Sequence, residues 1–346
     1  MLELVLIAFA KCVFLFLAFL LGGAAILSWV ERKMSAVIQD RIGPNRAAVF
    51  GFTAFGLFHP IADGIKMLFK EDFVPARADK ILFFFAPVLS FVPPLLAFMA
   101  IPFGPPVAGR EWLMVSDSQM GLLFLLAVAS IGVYGHTLAG WSSDNKFSLM
   151  GALRTSSQLF SYEVGLTLSL LGVFMVYGTI MPQAIIGGQS ELMWGWLPRW
   201  GIVTQPLGFI LFMLASIAET KRAPFDLPEA DSELVAGYST EYSSMRFAMF
   251  FLSEFVGILL VSAFGAVLFL GGWNIPFLAG DAWWVVLLQV GAFLAKVGAL
   301  VYLQMLVRWT VPRMRFDQVI DFGWKYLIPF GLLNLLATAV VLAVWR

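Results

Sequence analysis

Three carboxylic acids stand within or at the ends of long apolar stretches. Glu163 follows Ser161 and Tyr162, Glu219 closes a run that begins near 203, and Glu254 lies about nine residues into another. At ~1.5 Å per residue, that last carboxyl sits roughly 13 Å along its helix. A carboxyl at such depth is costly. It marks a proton or ion path, or else it is paired structurally with Lys11, Lys296 or a hydroxyl, and Lys296 itself invites the same two readings. Five more acids, Asp226, Glu229, Asp231, Glu233 and Glu241, crowd one connector, ETKRAPFDLPEADSELVAGYSTEYSSMR at 219–246. Pro224 and Pro228 forbid a continuous helix there, and a short helix opened at Pro228 and closed at Gly237 explains about two of the acids as first-turn charges. Crowded carboxylates at a low-dielectric boundary repel one another and lose water, conditions under which carboxyls exchange protons near neutral pH.

A second constellation is cationic. ERKMSAVIQDRIGPNR at 31–46 places Arg32, Lys33, Arg41 and Arg46 directly after the first apolar stretch. Arg32 and Lys33 are also what a topological anchor requires, whereas Gly43, Pro44 and Asn45 form a turn that holds Arg41 and Arg46 in place. From Pro60 to Glu71 the spacing predicts an amphipathic helix, with Ile61, Ile65, Leu68 and Phe69 on one side and Asp63, Lys66 and Lys70 on the other. Such a helix lies along the membrane interface, either as a plain lipid-surface element or as the floor of an opening through which an amphiphile leaves the bilayer. His59 reads as a polar cap before it, and His136 with Tyr134 as an interfacial anchor ending the third span.

The elements that carry these residues follow from composition. Of 346 residues 60% are hydrophobic and 13% charged, with 34 Phe and 12 Trp, and mean hydropathy is +0.87. Soluble domains carry roughly a quarter charged residues, so this is a membrane protein. Eight apolar stretches, near 3–30, 80–102, 119–140, 159–181, 203–220, 246–270, 284–307 and 326–345, approach the ~20 residues that cross a bilayer. They lack the alternation of barrel strands and are read as helices. The first is read as a retained span rather than a secretory leader. The expected fold is therefore all-α and polytopic, with about eight transmembrane helices plus the amphipathic interfacial one, in a single integral membrane domain over 1–346. Lys and Arg number seventeen in the loops at about 31–79 (with Lys80), 141–158, 221–245 (with Arg246) and 308–325, against Arg110, Arg199 and Arg346 opposite. That bias places those loops in the cytoplasm and both termini on the outer, periplasmic side.

Formal charge is zero, which gives no whole-molecule field for nucleic acid. One cysteine, Cys12, and two histidines exclude disulfide frameworks, thiolate-held clusters and a metal site of those ligands. Redox centres, if the protein works with any, belong to partners.

Five motifs occur in order along nearly the whole chain: ERKMSAVIQDRIGPNR at 31–46, HPIADGIKMLFKED at 59–72, GWSSDNKFSLMGALRTSSQLFSYEV at 140–164, AETKRAPFDLPEADSELVAGYSTEYS at 218–243 and RWTVPRMRFDQ at 308–318. In these the sequence resembles the quinone-site membrane subunits, the H subunits, of proton-translocating NADH:quinone oxidoreductase, respiratory complex I. It departs from the family pattern at His59, where Gln is common, and at Asp231, where Glu is common.

The resemblance implies a translocase subunit with no redox centre of its own. Quinone is its substrate, and flavin and iron–sulfur clusters reside in partner subunits of a multisubunit respiratory complex, in a bacterial inner membrane or, alternatively, a mitochondrial one. It implies that the quinone headgroup passes Arg32, Arg41, Arg46, Asp63, Lys66 and the cations Arg308 and Arg313 of RWTVPR. Charge then couples through Asp226, Glu229, Asp231 and Glu233 to Glu219, Glu163 and Glu254. Two other classes stay open on the residues alone: the related membrane subunit of a hydrogenase or formate-oxidising complex, and a proton-coupled transporter.

Overall fold

A computed structural model of the protein describes residues 9–107, 112–116, 118–193, 195–228, 230–278, 280 and 282–344, without the side chains of Ala18, Asp231 and Ser232. The expectations for Glu229, Arg110 and Arg346, and for the side chain of Asp231, lie outside the described residues. The protein is a helical bundle. Among the described residues seven helices are long and apolar enough to cross a membrane. They are α1 (Phe9–Ile38), α3 (Lys80–Ala97), α4 (Gly121–Ser142), α5 (Lys146–Tyr177), α8 (Ser244–Phe269), α9 (Trp283–Thr310) and α10 (Phe316–Val344). Three shorter helices complete the numbering: α2 (His59–Phe69), α6 (Pro182–Gln189) and α7 (Pro206–Glu219). A two-residue hairpin pairs β1 (Leu192–Met193) with β2 (Leu197–Pro198).

The fifth expected span differs from its hydropathy profile. Its helix, α7, has 14 residues, about 21 Å at ~1.5 Å per residue. Pro206 has no N–H to continue the preceding Gly201–Thr204 turn, and Gln205 takes φ −138°, ψ 60°, outside the helical region. Gln205 at the break is 5% exposed, its side-chain amide donating to Thr338 Oγ1 and its side-chain carbonyl oxygen accepting from Asn334, so side chains from α10 hold the irregular turn.

Helix ends are set by local chemistry. Asp79 accepts from the amides of Ile81 and Leu82 to start α3, Asn145 accepts from Phe147 N to start α5, and Gly178 at φ 66° ends α5. α8 is the centre of the bundle, with 78% of its apolar window buried. Its neighbours α3 and α4 approach each other closely at Gly135, where a Cβ would strike the Ser90 backbone. At Gly151 of α5 a Cβ would come within 2.7 Å of Gly237 Cα, so the acidic connector lies directly on that helix.

The amphipathic helix α2 forms, but His59 is its first residue rather than a cap before it, Phe58 holding the N-cap position, and the helix stops at Phe69 because Lys70 is extended. Its apolar face, including Ile61, Ile65, Leu68 and Phe69, is exposed, as an interfacial helix requires. Hydroxyls at the start of α8 pin its C-terminal end: Ser244 donates to Met67 O at 2.9 Å and Ser243 to Glu71 O at 3.0 Å. They satisfy carbonyls that the helix leaves open.

Candidate functional site

Three cavities run inward from α2. The outermost, about 380 Å³, lies between α1, α2 and α8, with Arg32, Asp63, Lys66, Phe247 and Phe251 in its lining. Arg32 and Asp63 form an ion pair at 2.5 Å across its rim, with both side chains more than two-fifths exposed. Three of the expected headgroup residues therefore share one vestibule. Arg41 and Arg46 are not among its lining residues. Arg41 is held by Gln39 Oε1 (2.8 Å) and Ser35 Oγ (3.2 Å), in a turn that Gly43 makes at φ 79°, and Arg46 is exposed.

Phe247 and Phe251 are also walls of a second chamber of about 210 Å³, whose polar lining is Asp226, Tyr238, Ser239, Glu254 and Arg308. Beside it a buried ion cluster ties four elements together. Arg222, 8% exposed, donates to both oxygens of Glu31 at 3.2 and 2.9 Å. It also approaches Glu254 Oε2 at 3.4 Å and lies 4.6 Å over the Phe255 ring. Arg308 donates to Glu31 from the other side. Among the described residues two guanidiniums thus face two carboxylates in a site where an unpaired charge is prohibitive. Arg313 bonds Asp226 at 2.8 Å at the outer edge, so both cations of RWTVPR reach this region.

Glu254 lines a third cavity as well, about 90 Å³, together with Ser90, His136, Glu219, Lys221 and Ser253. Most of its wall is apolar, including Leu125, Leu159, Leu260 and Phe264, so its polar groups gather in one patch. Glu219 is within electrostatic reach of Glu163 and Lys221, and Glu163 accepts from Ser130 of α4. Of the alternative partners for the intramembrane acids, the two lysines are engaged elsewhere, Lys11 with Met114 O and Lys296 with the carbonyls of Gly272 and Asn274, whereas hydroxyls do meet the acids: Ser130 donates to Glu163, and Tyr238 lies 3.5 Å from Glu254.

The acidic connector divides. Asp226 faces the chamber, whereas Glu233 pairs with Arg154 at 2.5 Å, half exposed, and Glu241 accepts from Asn145 at 2.6 Å. The short helix there is only Asp231–Leu234, and it ends at Val235 rather than at Gly237, which instead opens a 3₁₀ turn. Tyr242 fastens the connector to α3. Its ring stacks on Phe83 at 4.1 Å, its hydroxyl donates to Phe83 O at 3.2 Å, and burial pushes its phenol up to about 12.

Five side chains of this centre escape a reading of the sequence. His136 is no interfacial anchor: α4 continues to Ser142, and the imidazole is 6% exposed. Lys221, Arg222 and Glu31 pass for charged flanks of apolar stretches, and Tyr238 carries no signal. Glu31 does carry one, since Ala24, Leu27, Ser28, Glu31, Met34 and Ser35 follow helical spacing and the other five are buried.

The profile of the family described as NADH dehydrogenase matches residues 10–339. The H subunit of NADH-quinone oxidoreductase from Thermomicrobium roseum is 46% identical over 334 residues, covering 95% of this chain and 94% of that protein. An H subunit of the same enzyme from Geobacter metallireducens is 45% identical over 92% of each chain. The H subunit from Dehalococcoides mccartyi is 45% identical over 93% of this chain and 83% of its own length.

Proposed function

This chain belongs to the NADH dehydrogenase family, among the H subunits of NADH-quinone oxidoreductases, and on that premise we propose that it forms the quinone passage and converts quinone reduction into a charge signal for proton translocation. It is a membrane subunit of a proton-translocating oxidoreductase. The single observation that carries the proposal is the sharing of walls: Phe247 and Phe251 belong to both vestibule and chamber, and Glu254 to both chamber and inner cavity.

The vestibule combines what an amphiphile needs, an apolar body open toward the exposed face of α2 and a polar rim of Arg32, Asp63 and Lys66. The isoprenoid tail stays with lipid and the headgroup meets the cations. Electrons come from a partner subunit. As the reduced headgroup gains negative charge and then protons, the field at Asp226, Arg308 and Glu254 changes. Arg222 and Arg308 each touch Glu31, so a change on one carboxylate redistributes the hydrogen bonds of the whole cluster. Glu254 passes the disturbance to the cavity that holds Glu219, and from there to Glu163.

In this reading the chain is one integral membrane domain over 1–346. Its positively charged loops are cytoplasmic and its termini periplasmic, and the membrane is a bacterial inner membrane. The membrane and peripheral-arm subunits of the complex are its partners. The vestibule and chamber open near the positively charged loops, where a peripheral arm carrying the redox centres would meet them, while the inner cavity reaches deeper between α3, α4 and α8.

Replacing Ala25 of the vestibule lining by Trp in the assembled complex tests the passage. The expected result is a severalfold rise in KM for a long-chain quinone with assembly intact. Wild-type KM and turnover would overturn the vestibule assignment.

A further inference from the structure

Lys221 and His136 belong to neither the vestibule nor the carboxylate series, yet both are buried beside the inner cavity. Lys221 directly follows the turn that ends α7 and takes φ 53°, a left-handed conformation that residues with side chains seldom adopt. From there its side chain enters the bundle. Nζ contacts Nε2 of His136 and donates to Tyr238 Oη at 3.3 Å. The Tyr238 hydroxyl is in turn 3.5 Å from Glu254 Oε1.

The hydrogen bonds assign the tautomer of His136. Nδ1 lies 3.0 Å from the Gly132 carbonyl. A carbonyl only accepts, so Nδ1 carries the hydrogen and Nε2 presents its lone pair. Lys221 Nζ faces that lone pair, and Ser90 Oγ lies 2.9 Å from the same nitrogen. Ser90 is also 3.0 Å from Ser253 Oγ, which gives its own hydrogen to Phe250 O. One hydrogen lies between the two nitrogens, and if Lys221 is the ammonium the pair carries one positive charge with two places to put it.

We propose that Lys221 and His136 form a proton relay whose one positive charge shifts between Nζ and Nε2, joining the Glu31–Arg222–Arg308–Glu254 cluster to the cavity that faces Glu219. The proposal rests on the carboxylate coupling described above. In the transfer an N–H bond of the Lys221 ammonium breaks as the Nε2–H bond of an imidazolium forms. Lysine is left as the neutral amine, the Nδ1–H bond to Gly132 is kept, and no electron moves. With the charge on Lys221 it lies beside Tyr238 and, through that hydroxyl, Glu254. With the charge on His136 it lies beside Ser90 and the cavity. The groups that face the pair are Ser90 from α3, Ser253 and Glu254 from α8, Glu219 from α7 and Tyr238 from the connector. His136 and Glu219 line the same cavity, about 90 Å³, so a water admitted beside its polar patch would join Nε2 to Glu219.

Two substitutions in the assembled complex, reconstituted in sealed vesicles, separate relay from packing. Lys221→Arg keeps the charge but cannot release a proton at working pH. His136→Gln keeps an acceptor toward Lys221 but cannot become a cation. Each is expected to lower coupled quinone reduction by about tenfold or more, the scale of one lost acid–base group, in complexes that assemble normally. A third readout is spectroscopic. With ring-labelled histidine, the infrared difference spectrum of the wild-type complex on quinone reduction is expected to contain an imidazole-to-imidazolium change, which His136→Gln removes. Wild-type pumping and turnover in both variants, or a wild-type spectrum without the histidine change, would overturn the relay. Glu254→Gln in the same assay tells the two readings apart. If it uncouples while the relay variants behave normally, the relay alone falls. If all three variants are normal, the carboxylate coupling falls with it.

Discussion

Glu31→Gln is the sharpest perturbation of the buried cluster. In the native protein Glu31 accepts from Arg222 at 2.9 and 3.2 Å and from Arg308, while Arg222 also meets Glu254 at 3.4 Å. Among the described residues two carboxylates balance two guanidiniums. An amide in place of the Glu31 carboxylate would keep the shape and remove one negative charge, leaving a net cation where the side chains of Arg222, Glu31 and Glu254 are 8%, 13% and 9% exposed. A unit pair at ~4 Å is worth about 4 kcal/mol at an effective dielectric near 20. Stranding one partner of a buried pair costs about 3–5 kcal/mol. Arg308 is 25% exposed and regains some hydration, so the lower end, about 3 kcal/mol, is expected. At ~1.4 kcal/mol per decade this is on the order of a hundredfold in a folding or assembly equilibrium. The assay is the fraction of assembled complex surviving a detergent and temperature series on native gels, read beside quinone-reductase turnover. The double variant Glu31→Gln/Arg308→Gln restores neutrality and is expected to recover at least half of the lost stability, a favourable coupling energy in a double-mutant cycle. Additive losses in the double variant, or a single variant as stable as the wild type, would refute the electrostatic account.

Glu163→Gln, which removes a carboxylate bonded by Ser130 and within reach of Glu219, is expected to lower protons translocated per electron in sealed vesicles; normal pumping and normal turnover together would remove Glu163 from the path. Arg32→Ala is expected to raise KM for quinone severalfold by opening the rim pair with Asp63, whereas Arg46→Ala, which lies in the exposed turn, leaves KM near wild type; equal effects would erase the distinction drawn between them. Gly135→Leu forces a side chain into the Ser90 backbone and is expected to abolish assembly on native gels, because a small-to-large change at a backbone contact has no rotamer to escape into. Tyr242→Phe loses the hydrogen bond to Phe83 O and the long 3.5 Å contact with Ser142 Oγ but keeps the stacked ring; a stability loss of about 1 kcal/mol, with turnover retained, is the result to look for.

The membrane-embedded, helical character of the protein was legible in its sequence because lipid leaves the backbone few choices, and α2 was legible because its apolar and charged residues separate cleanly at helical spacing. The vestibule was half legible. Arg32, Asp63 and Lys66 meet there, but nothing in the spacing of 31–46 distinguishes Arg32, on the last turns of α1, from Arg41 and Arg46 in the turn beyond. The buried cluster was the least visible part. Charges beside an apolar stretch satisfy the orientation rule whether they face water or protein, so Glu31, Lys221 and Arg222 pass as flanking residues. Only their tertiary partners, drawn from α1, α4, α8 and α9, reveal them as interior groups. His136 is hidden for a related reason, since hydropathy alone ends the third span before α4 ends. The discontinuity before α7 follows from Pro206, a signal present in the sequence but overridden by the surrounding apolar run.

The central claim is that quinone docks against α1 and α8 of this chain, beside carboxylates that respond to it. Photoaffinity labelling of the intact complex with a reactive quinone, followed by peptide mapping, tests it most directly. Label is expected on the segments that line the vestibule and chamber, at 24–32 and 247–254, with loss of that label on competition with unmodified quinone. Label confined to other subunits, with none competed away from these segments, would contradict it.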